Sequence, residues 1–259
     1  MTFYRALAAS ALLAACSLTA AMNAQEPQPW PQHSRSRPAP PVEIAPAQSL
    51  PASPPAGAIV LFDGKDLSPW QRADGKNTPA RWTILPDGAM EVAPGSGDIE
   101  TKEAFGDVRL HVEWASPSPA IGEDQDRGNS GVFLMGRYEV QVLDSYGSAT
   151  YPDGQAGAIY GQFPPRVNVS RAPGEWQSFD IEFRAPRFSA DGTLASPARL
   201  TVLHNGVLVH EDVALLGPTS HRVRAPYETH AAALPIKLQD HGHRVRFRNI
   251  WLQRLDNKE

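Results

Sequence analysis

From residue 57 onward, apolar and polar positions alternate in short runs broken by turn residues, and no stretch keeps the 3.6-residue period of an amphipathic helix. Alternation puts successive side chains on opposite faces of a strand. The pattern predicts strands over Ala58–Phe62, Trp82–Leu85, Ala89–Val92, Arg109–Trp114, Gly131–Leu134 and Tyr138–Leu143. Further strands are predicted over Ala158–Tyr160, Gln177–Arg184, Ala198–His204, Val207–Glu211, Ile236–Gln239 and Val245–Arg254. Asp63-Gly64, Asp87-Gly88 and Asp191-Gly192 mark turns, and Asn205-Gly206 predicts a tight hairpin between its flanking strands. So many short strands in roughly 200 residues predict an all-β domain, two antiparallel sheets packed as a sandwich.

Within this pattern Tyr138–Asp144 carries the most chemistry. Val140 and Val142 are expected to face a core, which leaves Glu139 and Gln141 side by side on the other face, roughly 7 Å apart. A rigid Glu/Gln pair suits recognition of a hydroxyl-rich ligand, with Glu139 as base or ligand and Gln141 binding through its paired donor and acceptor. Asp144 ends the strand, where it either contributes to the site or caps the following turn.

The first 56 residues read differently. Arg5, the short apolar run Ala6–Leu13 and the sequence Leu13-Ala14-Ala15-Cys16 make residues 1–24 a signal segment, either of lipoprotein type with Cys16 as the lipidated residue or of ordinary secretory type cut near Ala21 or Ala24. Cys16 is the only cysteine, so no intrachain disulfide can form. Residues 25–56 hold ten prolines and little apolar content, which predicts an extended, disordered tether. Export follows, to the periplasm or to an outer-membrane anchor, with membrane contact only through the lipid. A net charge of −4 offers nothing to a polyanion, so nucleic acid is excluded as a partner. The basic run His241–Arg248 alternates with apolar residues and reads as the two faces of a strand.

A family resemblance rests on motifs spread over residues 57–255. They are Leu61-Phe62-Asp63-Gly64-Lys65 with Trp70, Asn129 through Leu134, Tyr138 through Ser145, and Gly157-Ala158-Ile159-Tyr160-Gly161. Gly174-Glu175-Trp176, Asn205-Gly206, Leu238-Gln239-Asp240-His241-Gly242 and Val245 through Leu252 complete the set. In this order they resemble the 3-keto-disaccharide hydrolase domain family, making residues 57–259 one domain. The resemblance implies a concanavalin-A-like jelly roll and cleavage of glycosides oxidised to a ketone at C3. A C3 ketone acidifies the C2 proton, so a base can remove it and the C1 substituent leaves by elimination, with water adding afterwards.

Jelly-roll glucanases of laminarinase type resemble Glu-x-Asp-x-x-Glu on one strand, whereas here the spacing is Glu139-x-Gln141-x-x-Asp144. An amide cannot titrate, which disfavours a two-carboxylate hydrolysis of unoxidised glycosides. A direct glycosidase therefore stands behind two readings: an elimination enzyme and a non-catalytic carbohydrate-binding module.

Other candidates come from strand parity. His241 follows Gln239 by two and shares its face, so His241 is a candidate acid, base or metal ligand and Gln239 a sugar contact. Glu113 alternates with Val112 and Trp114; if its face is the concave one it meets Glu139 from a neighbouring strand as a second catalytic carboxylate, and otherwise it is an exposed carboxylate on the convex face. Arg248 is a candidate for orienting substrate or neutralising an enolate, and Tyr160 for stacking on or hydrogen bonding to a sugar. No cofactor is indicated with certainty. A divalent metal held by Glu139 and His241 would suit the chemistry, but the spacing alone does not identify one.

Overall fold

The computed structural model describes residues 30–255; the signal segment and Cys16 lie outside the described residues. Fifteen strands follow in chain order. They are β1 (Ile59–Phe62), β2 (Trp70–Arg72), β3 (Thr83–Ile84), β4 (Met90–Glu91) and β5 (Ile99–Phe105), then β6 (Val108–Ala115), β7 (Ser130–Leu134), β8 (Tyr138–Val142), β9 (Gln177–Arg184) and β10 (Arg187–Phe188). The last five are β11 (Leu194–Ser196), β12 (Arg199–His204), β13 (Val207–Ala214), β14 (Leu234–Leu238) and β15 (Arg246–Arg254). Among the described residues the only helical segment is a 3-10 turn at Pro152–Gly154.

The strands form an all-β antiparallel sandwich. One sheet has eight strands in the order β13-β12-β9-β6-β15-β4-β3 with β1 also on β15, and the other has five in the order β2-β5-β14-β7-β8. Leu110, Val112, Trp114, Phe179, Phe183 and Phe247 from the first sheet and Ile99, Val132, Val140, Val142, Ile236 and Leu238 from the second make one core. Tyr138 on β8 meets Phe183 on β9 with ring centroids 5.5 Å apart, so the sheets interlock through aromatic rings.

Most expected strands are present. Asn205 and Gly206, at φ 52° and 79°, make the hairpin joining β12 to β13, a turn that needs two positive φ angles. Ala158–Tyr160 is not a strand; Ile159 makes isolated bridges to Val140 on β8 and to Phe163. β5 was not expected, because Glu100, Lys102 and Glu103 hide its apolar positions Ile99 and Phe105.

The proline-rich segment also departs from expectation. Residues 30–56 have no regular strands, yet they lie along the domain instead of hanging free. Glu43 N donates to Asn168 O at 3.0 Å, Asn168 N to Pro41 O at 2.8 Å, and Ala52 N to Glu113 Oε1 at 2.8 Å. Proline forecloses secondary structure but leaves carbonyls free to accept bonds from the sandwich.

Candidate active site

The outer face of the five-stranded sheet is built by register. Phe133 on β7 is opposite both Lys237 on β14 and Glu139 on β8. One step along, Gly131 is opposite Gln141 and accepts a hydrogen bond from Gln239 N at 3.1 Å. Alternation turns Tyr138, Val140 and Val142 into the core, so Glu139 and Gln141 share the outer face as their spacing predicts. Beyond β8 the chain returns along its free edge. Gly157 N donates to Gln141 O at 2.9 Å and Tyr160 N to Glu139 O at 3.3 Å, which brings Tyr160 over the same face.

These residues surround a cavity of about 570 Å³. Glu139, Gln141, Tyr160, Gln239 and His241 line it together, so five sequence candidates converge. Gly131 gives the floor its depth, because a Cβ there would lie 2.4 Å from Glu139 Oε1 and 2.7 Å from the Phe133 ring. Gly131 is therefore a space-making residue, a role its place in the Asn129-Ser130-Gly131 motif did not reveal.

Glu139 is 5 % exposed, and no described residue donates a hydrogen bond to its carboxylate. Burial pushes its pKa up to about 8, against a smaller opposing pull from Lys237. Gln141 donates to Gln125 Oε1 and Asn129 Oδ1, each at 3.2 Å, while its own Oε1 is buried without a partner. The Tyr160 hydroxyl lies 2.8 Å from Tyr151 Oη and 3.1 Å from His221 Nδ1, and burial raises its pKa. Gln239 places its backbone in the sheet and leaves its amide facing the cavity. His241 stands exposed at the rim, stacked 6.1 Å from His243.

Three candidates lie elsewhere. Glu113 sits on the outer face of the eight-stranded sheet, so the whole core separates it from Glu139. Its carboxylate accepts from Ala52 N at 2.8 Å, Asn249 Nδ2 at 2.7 Å and Arg248 Nε at 2.7 Å. Burial, the largest influence, works to raise the Glu113 pKa, but these bonds and His111 outweigh it and hold it low. Arg248 is spent on Glu113 and on the Trp176 ring, 4.0 Å away. Asp144 is paired with Arg127 at 2.7 Å and accepts from Tyr146 N at 3.2 Å, the capping role. Parity assigns a residue to a face but does not say which sheet the strand will join.

The cavity also uses residues that carried no sequence signal, including Arg35, Thr219, His221 and Arg222. A metal between Glu139 and His241 finds little support in the donors. Among the described residues no three His, Cys, Asp or Glu side chains come together as a metal-binding group.

Fold and cavity together place the chain among β-sandwich proteins with a deep polar cleft on one sheet. The 3-keto-alpha-glucoside-1,2-lyase-like domain matches residues 57–253, and the chain belongs to that family. A solved candidate glycosyl hydrolase from Parabacteroides distasonis ATCC 8503 is 46 % identical, covering 77 % of this chain and 84 % of that one, with a TM-score of 0.73. A second candidate glycosyl hydrolase from the same organism shares the fold at 20 % identity and a TM-score of 0.55, covering 77 % of this chain and 94 % of that one. No curated protein matches the chain.

Proposed function

We propose that this protein cleaves 3-keto-glycosides by elimination, with Glu139 as the base. The observation that carries the reading is a buried carboxylate without hydrogen-bond donors among the described residues, facing a cavity whose lining includes amides and hydroxyls. Burial makes Glu139 a stronger base than an exposed carboxylate and keeps its proton exchange near neutral pH. Its ionised form takes the C2 proton, and the electrons of that bond pass to the C3 oxygen as an enolate. Gln239 makes no side-chain hydrogen bond to a described residue, so its N–H groups are available to that oxygen. The enolate then expels the C1 substituent, which takes a proton from His241 at the rim. The product is the free leaving group and a 2-hydroxy enone, and addition of water across C1=C2 completes the hydrolysis. Gln141 Oε1 accepts from a substrate hydroxyl, and Tyr160 lines the wall beside it.

The reading extends to export and to anchoring of the protein through Cys16. Cys16→Ser is then expected to move the protein from the membrane fraction to the soluble fraction; unchanged retention counts against the anchor.

The chemistry is tested by incubating the purified chain with a 3-keto-disaccharide and its unoxidised parent in D2O. Release from the ketone alone, with deuterium at C2 of the product, is expected. Release without C2 deuterium, or equal release from the unoxidised sugar, would revive the direct glycosidase. Binding without release in any variant would leave a carbohydrate-binding module.

A further inference from the structure

The cavity is not bounded by the matched domain alone. An arm of the proline-rich segment, residues 30–37, supplies Arg35 to its wall. A second cavity of about 330 Å³ adjoins the first, lined by Gln32, His33, Arg35, Tyr151, His221 and Arg222. Arg35, Tyr151, His221 and Arg222 line both, so the two cavities share a wall. Three of the six outer residues belong to the arm, and the family match starts only at residue 57.

The arm is seated, not draped. His33 N donates to Asp153 Oδ2 at 2.9 Å, and its ring lies 4.2 Å from Tyr151 and 5.2 Å from His221. Asp153 is fully buried; desolvation would raise its pKa, but the bonds from His33 hold it low. Without the arm that charge loses the His33 N–H, so docking the arm pairs one oxygen of a buried carboxylate. Gln32 donates to Ser220 O, Arg35 pairs with Asp124, and Arg224 donates to Trp30 O at 3.1 Å. Gly161, at φ 69°, makes room, because a Cβ there would stand 2.1 Å from the Gln32 amide.

Depth separates the two cavities by role. Glu139 is buried at the floor of the inner one, whereas the Arg35 side chain is 62 % exposed at the rim. A glycoside whose C2 reaches Glu139 projects its C1 substituent outward. No carboxylate lines the outer cavity; guanidinium and imidazole N–H groups dominate, and they suit a ring whose hydroxyl oxygens accept. We infer that residues 32–35 complete an outer subsite for the second sugar ring, with His33 and Arg35 determining which leaving group is accepted. That this ring is the leaving group rests on the elimination proposed above.

The test uses the full chain carrying Glu139→Gln, so that ligands bind without turnover. Calorimetry gives dissociation constants for a 3-keto-disaccharide and for the corresponding methyl 3-keto-glycoside, with and without Arg35→Ala. The exposed Arg35 can be truncated without disturbing the fold, and a melting curve checks this. Arg35→Ala is expected to weaken the disaccharide about tenfold more than the methyl glycoside, the scale of a hydrogen bond to a charged group. His33→Ala is expected to shift the same ratio in the same direction. An unchanged ratio, or no binding of either ligand, overturns the subsite. Turnover by the wild-type chain judges the elimination separately, because the binding ratio does not depend on it.

Discussion

Glu113 and Glu139 stand on the outer faces of opposite sheets, both on strands and both buried, and they behave in opposite ways. Glu113 collects donors from Ala52, Asn249 and Arg248 and is held ionised, its burial more than offset. Glu139 has burial of the same kind and no donor among the described residues, so its proton is held up to about 8. A saturated carboxylate is a structural joint; an unsaturated one is available to a substrate. The difference is set by neighbours, since the strand patterns around the two residues are alike.

The sharpest way to break this comparison is to remove each carboxylate in turn. Glu139→Gln keeps the shape and removes the base, so kcat on a 3-keto-glycoside is expected to fall about 10³-fold. Its stability is expected to move the other way. A folded pKa raised from 4.5 to about 8 gives stability that is present below 4.5 and lost as pH rises through 8. The melting temperature of Glu139→Gln should therefore gain on the wild type across that window, and a constant offset would contradict a buried, unpaired acid.

Glu113→Ala strands Arg248 and His111 and frees Ala52, and is expected to cost about 3 kcal/mol, read from urea unfolding. Its contribution is present above 4.5 and lost as pH falls. His111 complements it: burial opposes its charge, but Asp180 and Glu113 prevail and raise it to about 9, so its contribution is lost as pH rises through 9. A Glu113→Ala protein of unchanged stability would mean that the joint holds nothing.

Gly131→Ala puts a methyl where the Glu139 carboxylate lies. It is expected to lower kcat/KM about 10²-fold, the effect of displacing a reacting group by an ångström. Smallest is the pH profile of the wild type: kcat/KM should rise about tenfold per unit and level off near 8, where Glu139 ionises. A profile flat from pH 6 to 9 would remove Glu139 as the base.

Alternation made the sandwich legible, together with the shared face of Glu139 and Gln141 and the pairing of Gln239 with His241. It failed where a long-range choice was needed. Glu113 alternates as cleanly as Glu139, but β6 joins the other sheet, and only strand pairing over a large sequence separation decides that. Arg35 and His33 were hidden for another reason. Their segment lacks the apolar content that marks a folded element, and it is held by hydrogen bonds and ring contacts, which leave no periodicity to read.

Trp30 gives up its carbonyl to Arg224, two residues from a side chain in the cavity wall. The first described residue is thus held next to the wall of the cleft and not against the sheet behind it. Any change that lifts Trp30 from Arg224 would therefore loosen the arm at the point where it borders the cleft.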